Sequence, residues 1–340
     1  MENKRADMNQ IIGFDILKFF LATMLVALHT KGFSDVEIIR RITDPFIAIA
    51  VPVFFILSSY FIFRKMDIKG YSWHLYKPFV KRLLLLYSFY FVVSFPIMLV
   101  TKWYGFYINY GFVKLCVRFI TGLFFSQTYP GGWFLTSLVV ATFIIFLLRK
   151  FLQISNGVLL VLAILFQLYL VYHASLPFWL QKAYIFIQTH IFPVVELTPI
   201  RGFIWCAVGA VLAKSDLMFV LSRSLRIYGS LIATVVFYSF FHILPLGYQY
   251  VYTPFFGLAM ILLAFNINLR PNDVYLYLRK ASILIYLVHF YMLKVFNYLL
   301  PPDRLHIFYY ISVLFSTLMV AFIILKLENC KYFSILKFSH

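Results

Sequence analysis

Asp15, Lys18 and His29 stand inside one apolar run, FDILKFFLATMLVALHT. An ionisable group at the middle of a bilayer costs about 2.5–3.5 kcal/mol on insertion scales, so such groups mark where function is to be sought. Asp15 and Lys18 are three residues apart, which lets their side chains meet on one helix face. Lys18 and His29 are eleven apart. At about 100° per residue, eleven steps return close to the starting direction and cover about 16 Å of axis. A cation toward one end of such a helix attracts an anionic donor. An imidazole toward the other end, titrating near neutrality, takes a proton from an acceptor. The same spacing also fits a plainer arrangement, in which Asp15 neutralises Lys18 for insertion and His29 sits at the membrane surface.

The elements that carry these residues follow from composition. Of 340 residues, 63% are hydrophobic and 12% charged, more apolar surface than a soluble domain of this length can hide. Ten apolar runs read as spanning helices of a single all-α membrane domain, 1–340: 12–30, 46–63, 79–100, 133–148, 157–173, 198–213, 226–244, 251–268, 281–299 and 308–325. The segment 183–196 is apolar but short, carries His190, Pro193 and Glu196, and reads as an interfacial or re-entrant piece. The first run follows Lys4 and Arg5 as a signal peptide would, but no small-residue cleavage site follows it, so it reads as an uncleaved first span.

Charge orients the chain. The net charge of +18 lies in short loops rather than in a basic stripe, which argues against nucleic-acid binding. With the N-terminus inside, nineteen of the thirty Lys and Arg fall in inner segments and nine in outer ones, the bias expected of an N-in, C-in bundle. An eleventh span at 183–196 would turn the later basic loops outward and is rejected. The three cysteines, Cys116, Cys206 and Cys330, show neither metal-ligand spacing nor a disulfide framework.

In this setting the order of several motifs resembles a known family. They are Lys18 and His29 with ten residues between them; VPVFFILSSYFIFRK (Val51 to Lys65); KPFVKRLLLLY (Lys77 to Tyr87); GGWFLTSLVV (Gly131 to Val140); RGFIWCAVGAVLAK (Arg201 to Lys214); and SILIYLVHFYML (Ser282 to Leu293). Together, from about residue 11 to 325, they resemble the membrane acyltransferase-3 family, integral membrane enzymes that O-acylate bacterial glycans. Three positions depart from its pattern. Lys18 replaces the usual Arg and lacks its planar fork. Ser59 replaces the Gly of a Ser-Gly pair, adding a Cβ where backbones approach. Leu85 stands where many relatives carry a second Arg.

The resemblance implies an acyl-CoA donor, most often acetyl-CoA, reached from the cytoplasm, and no metal. It implies a polysaccharide or lipid-linked glycan acceptor, and a location in the inner (plasma) membrane of a bacterium among its lipids. On this reading His29 is the general base on a sugar hydroxyl, and Asp15 orients Lys18, which holds the donor with Arg64, Lys81 and Arg82. Trp133 and Arg201 face the acceptor. His289, with Tyr286 one turn away, is expected to hydrogen-bond another helix rather than to catalyse. The rival reading is a transporter or flippase of a lipid-linked sugar or small solute; no internal repeat or matched pair of broken helices supports it.

Overall fold

The computed structural model describes residues 11–99, 104–125, 131–186, 201–215, 222–244, 249–267, 269–299 and 306–328. Within them lie twelve α-helices: α1 Ile12–Thr30, α2 Glu37–Lys69, α3 Trp73–Met98, α4 Tyr104–Phe125, α5 Gly132–Phe151, α6 Asn156–Tyr172, α7 Phe178–Phe186, α8 Phe203–Ser215, α9 Arg223–Ile243, α10 Gln249–Phe265, α11 Asp273–Leu299 and α12 His306–Leu327. Eight are long and apolar enough to cross a membrane: α1, α2, α3, α5, α6, α9, α11 and α12. Two shorter apolar helices, Phe203–Lys214 and Tyr252–Phe265, fall on the remaining two runs. The protein is an all-α polytopic helix bundle, as lipid requires of a chain that must satisfy every backbone polar group internally.

Three elements differ most from the sequence reading: α2, α4, and α11, which starts at Asp273 and so takes in Arg279 and Lys280 ahead of the run 281–299. The second run lengthens into the 33-residue α2, which absorbs Pro45 and Pro52; packing against neighbouring membrane helices tolerates such breaks. The stretch assigned to an outer loop between runs three and four holds α4, interrupted at Gly111, whose φ of 79° lies in the left-handed region that glycine adopts freely. Of the ambiguous segment 183–196, residues 183–186 end α7, and 187–196 lie outside the described residues.

The chain packs as two compact units. The first comprises residues 1–54 and 216–338. In it α1 is buried on most sides, against α10, α11 and α12. Gly13 permits the closest approach: a Cβ there would fall 1.8 Å from the Ala264 carbonyl oxygen on α10. Tyr309 at the start of α12 donates to the Leu293 carbonyl near the end of α11, while Lys280 near the start of α11 meets Glu328 just beyond α12 (2.6 Å). These two helices are therefore antiparallel. The exposed side of α9 carries Leu231, Ile232, Val235 and Ile243, a face suited to lipid.

The second unit comprises residues 55–215. Its core is the buried stretch of α2 from Phe55 to Met66, packed with α5 and α8. Ser59 and Gly209 meet there: a Cβ on Gly209 would lie 2.0 Å from Ser59 Oγ and 2.3 Å from the Ile56 carbonyl oxygen. The glycine absent from position 59 thus has its counterpart on the facing helix. Tyr76 on α3 bonds the Thr142 hydroxyl of α5 (2.9 Å) and stacks on Phe146. Cys116 and Cys206 are free thiols, and Cys330 lies outside the described residues.

Candidate functional site

In the first unit Asp15, Lys18 and Arg279 form one tier, and His29 and His289 a second, along the seam between α1 and α11. At the beginning of both helices, Asp15 is 1% exposed. Its carboxylate accepts two hydrogen bonds from Arg279, Nε to Oδ1 and an Nη to Oδ2, both 2.9 Å. Lys18 Nζ lies 3.3 Å from Oδ1, as the three-residue spacing permits. One carboxylate between two cations leaves the cluster with a formal positive charge, and the planar guanidinium matches both oxygens at once. Asp15 has the geometry of a counter-ion that orients both cations. Among the described residues no cluster of His, Cys, Asp or Glu is arranged to hold a metal ion.

Further along, His29 is exposed and its ring faces that of His289, with centroids 5.3 Å apart. Phe290 lies against both rings, at 4.7 Å from His29 and 4.0 Å from His289. His289 itself is fully buried. Its Nδ1 bonds the Ile285 carbonyl of its own helix at 2.9 Å, rather than another helix as the sequence reading expected. Asp15 meets Arg279 and His29 meets His289, so α1 and α11 run in the same direction.

The remaining sequence candidates belong to the second unit. Arg64 is 8% exposed and donates to the Ala213 carbonyl beyond the middle of α8 (3.0 Å). Lys81 and Arg82 are exposed on α3. Trp133, half-buried at the start of α5, has its ring 6.2 Å from that of Phe55, which also packs on Trp205 at 5.1 Å. Arg201 is half-buried in the turn that leads into α8. The next residue, Gly202, donates its amide to Ser137 Oγ at 3.1 Å, which ties that turn to α5. Asp15, Lys18 and His29 thus share one unit, and Arg64, Lys81, Arg82, Trp133 and Arg201 share the other.

Arg279 and His289 add to the first tier and the second respectively. In the sequence Arg279 stands among the inner-loop cations ahead of the run 281–299, and His289 reads as a hydrogen-bonding rather than a catalytic residue. The signal for Arg279 was faint: an acid one helix turn from the start of a span needs more than one lysine to be saturated. For His289 it was stronger, an imidazole in the middle of a 27-residue apolar helix.

A seam of this kind, in a bundle of membrane helices, defines a class: integral membrane proteins that hold ionisable groups in series along one helix. The family described as an acyltransferase domain, acyltransferase-3, matches residues 11–326, and the chain belongs to it. Over 165 residues, 47% of this chain, it is 26% identical to an amino-acid racemase of Enterococcus faecalis. That match spans 22% of the racemase's length. No solved structure matches the chain significantly.

Proposed function

We propose that this acyltransferase moves an acyl group, acetyl in the first instance, from cytoplasmic acyl-CoA to a hydroxyl of a cell-surface or lipid-linked polysaccharide, in the inner membrane of a bacterium. The observation that carries the reading is the arrangement along α1: an accessible imidazole at one end and, at the other, Asp15 and Lys18 with Arg279 of α11 in a cationic cluster. His29 takes the proton of the acceptor hydroxyl as its oxygen attacks the thioester carbonyl. The CoA thiolate leaves and recovers that proton, so the products are the ester and the free thiol. Lys18 holds the anionic donor, and Asp15 keeps Lys18 aimed. The roles given to Arg64, Lys81 and Arg82 on the donor phosphates, and to Trp133 and Arg201 on the acceptor, rest on the family resemblance. The racemase name belongs to a protein of which most is unmatched, and it brings no racemase activity to this chain.

The test compares surface-glycan ester content, by mass spectrometry, in cells with wild-type protein, His29→Ala and no protein. His29→Ala is expected to insert normally and to give the ester content of cells without the protein. Unchanged esterification removes His29 from the chemistry. Purified wild-type protein that moves solute across vesicles and leaves acetyl-CoA intact is a transporter, and the proposal falls.

A further inference from the structure

We propose that His289 is the positioning partner of His29: its Nε2 accepts the N–H of the His29 ring and so turns the other His29 nitrogen, with its lone pair, toward the acceptor hydroxyl. The inference deepens the acyltransfer reading and rests on it for the role of His29.

The tautomer of His289 is fixed by its own helix. A carbonyl oxygen only accepts, so Nδ1, 2.9 Å from the Ile285 oxygen, carries the proton. A neutral imidazole has one N–H, which leaves Nε2 as a bare acceptor. That atom is buried and has no hydrogen-bond partner among the described residues. A buried acceptor left open in this way calls for a physical explanation. The ring facing it is that of His29, at 5.3 Å between centroids and tilted by 31°. Turning the rings edge to edge brings a nitrogen of each to hydrogen-bonding distance. Phe290, against both rings, walls the pair with an apolar face. Tyr286, one turn earlier and 6.3 Å away, is the other polar ring packed on His289 and is held by Phe54.

The consequence is chemical. An exposed imidazole alone presents either nitrogen to a substrate, and only the tautomer with its lone pair on the hydroxyl side is a base. An acceptor behind the ring selects that tautomer, the role a hydrogen-bonded partner plays behind catalytic and metal-binding histidines. His289 does not enter the stoichiometry: the hydroxyl proton goes to His29 and from there to the departing thiolate.

Two variants separate this role from packing. His289→Phe keeps a ring in the cavity and removes the acceptor; His289→Gln surrenders the ring and offers an acceptor oxygen. The first measurement is the 15N spectrum of histidine-labelled protein in nanodiscs, with the His29 signals assigned by loss in His29→Ala. A single His29 tautomer is expected in the wild type, a mixture in His289→Phe, and recovery in His289→Gln. The second is acetyl transfer from acetyl-CoA. His289→Phe is expected to lose about 100-fold or more in kcat, with KM for acetyl-CoA unchanged and a smaller loss in His289→Gln. Mixed tautomers in the wild type overturn the proposal without any variant. So does a Phe variant that matches or exceeds the Gln variant in kcat, the order that packing alone would give. If the acyltransfer reading is wrong, the wild type leaves acetyl-CoA intact while the spectrum still registers the pair. If only the pairing is wrong, the wild type transfers acetyl and the spectrum ignores position 289.

Discussion

Asp15 shows how a carboxylate survives burial in an apolar seam. Both oxygens accept from Arg279, and Lys18 adds a longer contact to one of them. Removing one member of a fully buried ion pair costs about 3–5 kcal/mol. Arg279 retains 31% of its side-chain exposure, so its loss falls below that range. Arg279→Ala is expected to lower the thermal unfolding temperature in detergent more than Lys18→Ala, whose contact with the same carboxylate is the longer one at 3.3 Å. An equal or opposite order would place the anchoring contact on Lys18. The Asp15–Lys18 contact was legible because helix geometry fixes what stands three residues away. The Arg279 contact spans 264 positions of sequence, and no local pattern encodes that register. His29 was legible by type and spacing, whereas the ring behind it was not, for the same reason.

At the scale of elements, apolar runs announce helices reliably where the run is long and unbroken, as in α5 and α6. They fail where polar residues interrupt. α4 carries Lys114 and a glycine at positive φ, and its composition reads as loop. The junction between α1 and α2 offers a test in water. There Asp35 accepts from the His306 ring (2.7 Å) and from the His306 amide (2.8 Å) at the start of α12. The ring hydrogen bond, aided by the amide, holds the Asp35 carboxyl below the usual carboxylate range. A depressed folded value means that the contact's contribution is complete above the unfolded value, about pH 4, and is lost as pH falls through the folded one. Amide exchange at His306 is expected to quicken in that acid window relative to an unprotected amide at the same pH, and in Asp35→Ala, which has no acceptor, to be fast already at neutral pH. A wild-type profile that is flat through the window would detach Asp35 from this clamp.

At the scale of the molecule, the directions of the helices constrain how many times the chain crosses. In the first unit α1 and α11 run together. α12 opposes α11, and the end of α10 meets the start of α1 through Gly13 and Ala264. Ten alternating spans place the first and ninth parallel and the eighth and tenth opposed to them; an eleventh span at 183–196 would reverse this. Charge in the loops and the helix directions within the first unit, two unrelated signals, both fit an even count. Single cysteines placed before Ile12 and after Leu327 in a variant lacking the native thiols are expected to react with impermeant reagent only in inside-out vesicles. Labelling of the two on opposite sides of the membrane would break that agreement.

The meeting of Ser59 and Gly209 has a mechanical corollary. With the Ser59 hydroxyl lodged where a Gly209 side chain would be, and Arg64 bonded to the Ala213 carbonyl one turn further on, the latter part of α2 and α8 are pinned at two levels about a helical turn apart. A slide or swivel of one past the other opens that close approach or breaks the Arg64 hydrogen bond. Whatever rearrangement admits a bulky molecule must shift these two rods as one stiff plank, and leave the yielding to segments on either side.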